Sequence, residues 1–378
     1  MKNALFVITS NVSGGGELFF LEMVSRLDRT KFRVFVACPK SCYIWNELCV
    51  NQDIYLKELP IGPKLGIKTI LDIALWPIYL VHFLTLFLKL NKKDSIDFCF
   101  FQYKKEQLIG SIAAFFFGIP VFWVEHTPVY NMSFGIARLL KPFYRFVGKL
   151  AVTKLIVFSK KAADSLTKIR IPEKKIRILN IGVDLTIYKG ASNFGLSSKI
   201  KVVGVVSRLA TNKGIENVIG AMPQILRKYP DVELHIAGTG NFALSLKKLS
   251  EDLALGEKVK FYGYIHNSKI PEFLDHVHVY VMPSYSEGTP LSLIEAMAAA
   301  KVIIATDVGA VTEMMRDGFD GLIVSAQSTS AIADSILRVF GNWDSYQQLG
   351  LNARKTALVS FDINRTVRSF EDVFMENT

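Results

Sequence analysis

The sequence predicts an α/β protein built of two doubly wound domains. Short apolar, β-branched runs alternate with helix-length segments, six such runs fall in each half, and one small polar stretch parts the halves. This alternation argues for parallel sheets assembled from βαβ units. The 378 residues leave room for two cores, since a domain takes roughly 100–200 residues. In the first half the runs are 4–8, 33–37, 97–101, 120–125, 154–158 and 175–179. In the second they are 200–206, 232–237, 258–263, 278–282, 302–305 and 321–324. The stretch between the halves, KGASNFGLSSK, reads as an exposed connector. The expected organisation is a first domain over 1–188, a linker over 189–199, a second domain over 200–350 and a helical tail over 351–378. In the tail, Leu351, Leu358, Phe361, Val367, Phe370 and Phe374 mark an apolar face. Open parallel sheets bind ligands beyond the carboxyl ends of their strands, so two hinged domains are expected to hold the site in the cleft between them.

Composition narrows the function. Apolar residues make up 50% and charged residues 21%, which excludes disordered and collagen-like chains. Four cysteines in this length exclude a disulfide scaffold. The apolar run after Met1-Lys2-Asn3 is too short for a signal-peptide core, so a cytoplasmic, reducing location is expected. Cys38, Cys42 and Cys49 have no two-residue spacing and no nearby histidine, so these and Cys99 are expected as buried thiols rather than metal ligands. The net charge is +11, and residues 1–190 hold 27 Lys and Arg against 14 Asp and Glu. The basic first half calls for an anionic partner. No recognised nucleic-acid-binding motif accompanies it, so nucleic acid is not expected.

The most informative stretch runs from Met282 to Ala298. It follows a strand and opens a helix, with Thr289 expected as N-cap and Pro290 at the first helical position. Such a turn has unpaired N–H groups and a positive dipole end, which suits a phosphate. Thr289, Leu291 and Ser292 can offer N–H; Pro290 cannot. Glu287 precedes the helix and Glu295 lies inside it among apolar neighbours, where burial with a partner is expected. A carboxylate can accept two hydrogen bonds from a vicinal diol, as sugars and ribose present. Arg208 and Lys213 follow the first strand of the second half, where cations neutralise a diphosphate through charge-assisted hydrogen bonds.

Together these motifs carry a resemblance. Ser207-Arg208-Leu209 with Lys213-Gly214, Ala237-Gly238-Thr239-Gly240, Phe261-Tyr262-Gly263-Tyr264-Ile265, and Glu287-Gly288-Thr289-Pro290 with Glu295-Ala296 resemble the nucleotide-sugar half of retaining glycosyltransferases of family 4. In the first half, Gly14-Gly15-Gly16-Glu17, Glu125-His126 and Asn180-Ile181-Gly182-Val183-Asp184 agree. The resemblance implies the GT-B architecture, two Rossmann-like domains facing across a cleft, with the C-terminal helix returning to the first. It implies that Arg208 and Lys213 hold the donor diphosphate, Glu295 the ribose hydroxyls and Glu287 the transferred sugar. Tyr264 and Ile265 would lie beside the base, and Gly238, Gly240, Gly288, Thr289, Leu291 and Ser292 would line the donor. Gly15 and Gly16 would approach donor phosphate or acceptor, and His126 would face the sugar. Glu287, His126, Arg208 and Lys213 are thus the expected catalytic set. No Asp-x-Asp pair occurs, and with cations and a helix N-terminus supplying positive field, neither metal nor cofactor is expected.

The expected function is hexosyl transfer from a nucleoside-diphosphate sugar, UDP-sugar first, to a glycan or lipid-linked hydroxyl in cell-envelope polysaccharide synthesis. A dinucleotide-dependent oxidoreductase is disfavoured, because Phe19 stands where a third fingerprint glycine is needed and the second strand ends without an acidic residue. A catalytically silent carbohydrate- or membrane-binding protein on the same fold is the alternative.

Two first-half segments bear on membranes. In 68–89, Lys68, Asp72, Tyr79, His82 and Lys89 fall within about 100° of one another, which predicts an amphipathic core or interfacial helix, kinked at Pro77, rather than a span. In 134–150, Arg138, Lys141, Arg145 and Lys149 share about 80° of arc. That basic amphipathic pattern predicts contact with an anionic membrane surface or acceptor, hence a peripheral protein on the inner face.

Overall fold

The computed structural model describes residues 1–11, 14–61, 73–126, 140–190 and 201–378. The chain divides into two compact units, Met1–Asn180 with Ile363–Thr378, and Ile181–Asp362. The division therefore falls at 180 and 362 rather than at 188 and 350. Segment 181–188 goes with the second unit because the Val183 N–H donates to the Phe361 carbonyl at 3.0 Å and Val183 bridges Asp362. Of the expected linker, only Lys189 and Gly190 lie within the described residues.

The first unit is a seven-stranded parallel sheet ordered β3-β2-β1-β4-β5-β6-β7. Its strands are β1 (Lys2–Val7), β2 (Phe32–Cys38), β3 (Ile54–Glu58), β4 (Phe98–Phe101), β5 (Val121–Glu125), β6 (Lys154–Val157) and β7 (Ile176–Ile178). Its helices are α1 (Gly15–Arg26), α2 (Trp45–Val50), α3 (Trp76–Lys93), α4 (Ser111–Phe116), α5 (Lys141–Leu150) and α6 (Lys160–Lys168). The strand missing from the sequence reading is β3, IYLKE. It is an edge strand, half solvated and charged, so it shows no continuous apolar run. The central strands are buried on both faces, as parallel sheets require.

The second unit is a six-stranded parallel sheet ordered β10-β9-β8-β11-β12-β13. Its strands are β8 (Lys201–Val206), β9 (Val232–Ala237), β10 (Val259–Gly263), β11 (Val279–Met282), β12 (Val302–Thr306) and β13 (Leu322–Val324). All six expected runs appear. Its helices are α7 (Ile215–Lys228), α8 (Ala243–Asp252), α9 (Ile270–Asp275), α10 (Leu291–Ala298), α11 (Val311–Met314), α12 (Thr329–Gly341) and α13 (Trp343–Ser360). The expected tail is split between the units. Helix α13 packs on α10 and β12, so closely that a Cβ on Gly350 would lie 2.3 Å from the Ala300 carbonyl.

The last helix, α14 (Ile363–Glu376), belongs to the first unit. Its apolar face meets the sheet through Phe374, whose ring centroid lies 4.7 Å from Phe98 and 5.0 Å from Phe122. Phe370 packs on Phe19 and Phe100.

Helix α3 corrects the sequence reading twice. Pro77 stands in the first turn, where its missing N–H costs nothing, and it opens the helix rather than kinking it. The expected polar stripe does not face water as a set: Tyr79 is buried with Phe83, Leu86, Phe87 and Leu90, while Ile78, Val81 and Leu88 are exposed. Lys68 and Asp72 lie outside the described residues, as does Arg138. Among the described residues, no helix is long and apolar enough to cross a membrane.

Candidate active site

Strand order reverses between the paired neighbours β8 and β11, which makes their carboxyl ends the switch point of the second sheet. The loops leaving these two strands carry the expected residues. After β8, residues Thr211–Lys213 form a short 3-10 turn ended by Gly214 at φ +62°. The left-handed backbone and a Pro283 carbonyl 2.1 Å from any Cβ leave only glycine here. The turn is tied to the β11 loop by the Tyr285 N–H on the Asn212 carbonyl, 2.9 Å. Lys213 Nζ thereby reaches Glu287 Oε1 at 2.7 Å, and Ser284 Oγ donates to the same oxygen at 2.6 Å. Both charged side chains are largely buried, at 16% and 11% exposure. Ser284 is buried too, and Thr306 of β12 fixes its carbonyl at 2.6 Å. The Ala310 N–H holds the Gly288 carbonyl at 2.9 Å from the neighbouring loop.

Helix α10 starts at Leu291, with Pro290 in extended conformation (ψ 113°) just before it. Thr289 is therefore not the N-cap and Pro290 not the first helical residue; no side chain caps this end. The N–H groups of Leu291 and Ser292, in the first turn, have no intrahelical acceptor. The Ser292 side chain bonds Tyr280 of β11. One turn further, Glu295 is half-buried and accepts a hydrogen bond from the Tyr188 hydroxyl. Burial pushes its pKa up to about 7, against that hydrogen bond.

Arg208 is exposed at the end of β8 with no ion-pair partner among the described residues. Gly238 and Gly240 sit where the β9 loop crosses the β8 loop, and a Cβ would lie 1.8 Å from the Ser207 carbonyl or 2.1 Å from that of Leu209. Packing requires both glycines, and at Gly238 the backbone at φ +138° does so as well. Tyr264 and Ile265 follow β10, two strands from β8, the former exposed and the latter half-buried. The structure thus brings Lys213, Glu287, Gly288, Thr289, Leu291 and Ser292 to one switch point, with Arg208 and Glu295 on its bounding elements.

The first unit has its own switch point between β1 and β4. Gly15 opens α1, and a Cβ on Gly16 would lie 3.1 Å from the Tyr103 hydroxyl and 3.2 Å from Gln102 Nε2. Tyr103 donates to buried Glu17, and Gln102 to the Gly16 carbonyl at 2.8 Å. Glu106 is fully buried, bonded by Thr9 at 2.7 Å and the Tyr103 N–H at 2.9 Å, and desolvation pushes its pKa up to about 7. At the end of β5, Glu125 pairs with Lys104 and accepts from Tyr144 of α5 at 2.7 Å. His126 beside it is half-buried between Phe19 and Phe158, with Nε2 3.6 Å from a Cβ on Gly16. Glu106, Lys104, Tyr103, Ser284 and Tyr188 escaped sequence reasoning. The available signal was position, since 102–106 leave β4 and Tyr188 follows the Asn180–Asp184 motif.

On α5, Arg145 and Lys149 are exposed and Lys141 half-buried, with Phe146 and Leu150 exposed beside them. Cys38, Cys42 and Cys99 are buried; Cys49 is exposed, contrary to expectation, because α2 presents it away from Leu48, the helix's buried residue. Among the described residues, no three His, Cys, Asp or Glu side chains form a metal-sized group.

Two switch-point sites on two doubly wound sheets define a protein of the GT-B class. The family comparison is specific: residues 13–187 match the model described as Glycosyltransferase Family 4, and residues 189–356 the model described as Glycosyl transferases group 1. The chain belongs to the family 4 glycosyltransferases. An uncharacterized glycosyltransferase of Methanocaldococcus jannaschii is 27% identical over 58% of this chain and 59% of its own length. The chain thus spans under two thirds of that relative. The UDP-Gal:alpha-D-GlcNAc-diphosphoundecaprenol alpha-1,3-galactosyltransferase of Escherichia coli is 24% identical over 76% of this chain and 77% of its own. Among solved structures, Anabaena HepE in complex with UDP-glucose has the same fold, with TM-score 0.84, 18% identity and full coverage of both chains.

Proposed function

We propose that the protein transfers a hexosyl group from a nucleoside-diphosphate sugar, UDP-sugar first, to a hydroxyl of a glycan or lipid-linked acceptor of the cell envelope, with retention and without a metal. The observation that carries this reading is the Ser284–Glu287–Lys213 cluster at the switch point. Lys213 has three donors. One is taken by Glu287, and the others point the charge toward a diphosphate seated at the start of α10, with exposed Arg208 beside it. Both bonds to Glu287 end on Oε1, so Oε2 remains to accept from a hydroxyl of the transferred sugar. Glu295 serves the ribose diol, Tyr264 and Ile265 flank the base, and His126 and Gly15-Gly16 of the first unit serve sugar and acceptor.

A carboxylate already held by an ammonium and a hydroxyl is a poor nucleophile, so a covalent sugar–enzyme intermediate is disfavoured. In the route we favour, the C1–O bond to the diphosphate breaks and the acceptor oxygen bonds C1 on the same face. The acceptor proton passes to the departing diphosphate, whose charge Lys213 and Arg208 stabilise. The names of relatives acting on undecaprenyl-linked or UDP-bearing substrates support the substrate class.

The test is a panel of UDP-, GDP- and ADP-sugars scored for nucleoside-diphosphate release, with and without EDTA, and for the anomeric configuration of the product. Lys213→Ala is expected to cost about 2–4 kcal/mol of transition-state stabilisation. Turnover within threefold of wild type removes Lys213 from the reaction. Loss of turnover in EDTA, restored by Mn²⁺ or Mg²⁺, overturns the metal-free reading. Binding of a donor without any turnover establishes the silent carbohydrate-binding alternative.

A further inference from the structure

Glu295 does not stand alone. The segment leaving the Val183–Asp362 bridge makes a 3-10 turn, Leu185–Ile187, in which Asp184 Oδ1 accepts the Thr186 N–H at 2.9 Å. The turn delivers Tyr188, 3% exposed, with its hydroxyl on the Glu295 carboxylate. From the other side, Arg354 of α13 donates to the Tyr188 carbonyl at 3.0 Å and also to the Ala298 carbonyl in the last turn of α10. Gly190, at φ +73°, lies against the same guanidinium: a Cβ there would come within 2.7 Å of it. One arginine therefore clamps the Tyr188 backbone to the helix that carries Glu295.

We propose that Tyr188 is a positioning residue of the nucleotide site: with its backbone carbonyl held by Arg354, its hydroxyl orients the Glu295 carboxylate so that the remaining lone pairs accept both hydroxyls of the donor ribose. The inference rests on the ribose role given to Glu295 above. A carboxylate has about four lone-pair sites; with one taken by a fixed phenol, the plane of the group is set and a vicinal diol meets a preformed pair of acceptors. The same bond favours the ionised carboxylate against burial. The titratable groups facing Glu295 are Tyr188 from the loop and Tyr280 from β11; Asp184 acts on Tyr188, and Arg354 of α13 meets the Tyr188 and Ala298 carbonyls rather than the carboxylate. Without the phenol, the desolvated acid holds its proton to higher pH and presents an O–H where the diol needs an acceptor.

The experiment measures binding of UDP, GDP and ADP to the full chain by calorimetry from pH 6.5 to 9, and repeats the tightest of them as its 2′,3′-dideoxy analogue. Glu295→Gln is the control for the underlying assignment. Tyr188→Phe is expected to weaken the ribonucleotide about tenfold at pH 7 and to leave the dideoxy analogue within twofold. The difference should shrink toward pH 9, and donor KM should rise with kcat within twofold. Arg354→Lys, should Tyr188→Phe fold poorly, is expected to give the same analogue-specific loss at threefold or more. If Glu295→Gln weakens the ribonucleotide selectively and Tyr188→Phe does not, the positioning role is overturned and the ribose assignment stands. If both variants leave binding intact, or none of the three nucleotides binds, the ribose assignment falls and takes the inference with it. Equal loss for both analogues in Tyr188→Phe shows a merely structural tyrosine and also overturns it.

Discussion

Glu106 is a fully buried carboxyl whose bonds to Thr9 and Tyr103 do not offset its desolvation, so its pKa sits at about 7 in the fold. An unfolded glutamate titrates near 4.3. The native state therefore binds more protons than the unfolded state between these values, and the contribution of this group to stability falls as pH rises from about 4.5 to 7. Glu106→Gln removes that titration. Relative to wild type, the variant should gain on the order of 2 kcal/mol between pH 5 and pH 8, read from urea unfolding at each pH. A constant difference across that range would show that Glu106 titrates normally.

At the scale of elements, α14 shows how a short amphipathic tail becomes part of a core. Phe374 is fully buried and meets Phe6, Phe32, Phe98, Phe100 and Phe122 on four strands of the first sheet. Phe374→Ala should cost about 3–5 kcal/mol, the usual loss for an aromatic side chain deleted from a packed site. Leu358, nearly half exposed on α13, should cost under about 0.5 kcal/mol when changed to alanine. Both belong to the tail that sequence periodicity treats as one face. Urea midpoints of the two variants separate the roles, and equal losses would mean that the two positions are equally packed.

At the scale of the whole molecule, the first half of the chain is basic, and exposed Arg145 and Lys149 lie on α5 among exposed Phe146 and Leu150. Exposed Ile78, Val81 and Leu88 on α3 add apolar surface to the same unit. Each cation near an anionic leaflet contributes about 1 kcal/mol. Reversing Arg145 and Lys149 to Glu should weaken binding to phosphatidylserine vesicles by about 2–4 kcal/mol and leave donor hydrolysis intact. Binding should also weaken with salt, since surface charges are screened over about 8–10 Å. Absence of wild-type co-sedimentation at low salt would overturn the membrane reading and leave this face a plain solvated one or a site for a soluble acidic acceptor.

Twelve of the strands, the parallel α/β class and the residues around Lys213 and Glu287 were legible in the sequence. Buried parallel strands must be continuous apolar runs, and the turn proposed to hold the diphosphate calls for glycine, small polar residues and cations close together in the sequence. Strand β3 was not legible, because an edge strand is half solvated and carries no such run. Neither was the polarity of α3, where helical arithmetic finds a polar stripe but only the packed sheet decides that Tyr79 goes in and Ile78 stays out. The same holds at the sites. Residue types announced Glu295 and Gly16, but Tyr188 and Arg354 are respectively 107 positions before and 59 after Glu295 in the chain. Long-range hydrogen bonds leave no periodic trace in a sequence. They are set when α13 and the segment after residue 180 pack around α10, so the partners of each functional side chain were decided by tertiary structure alone.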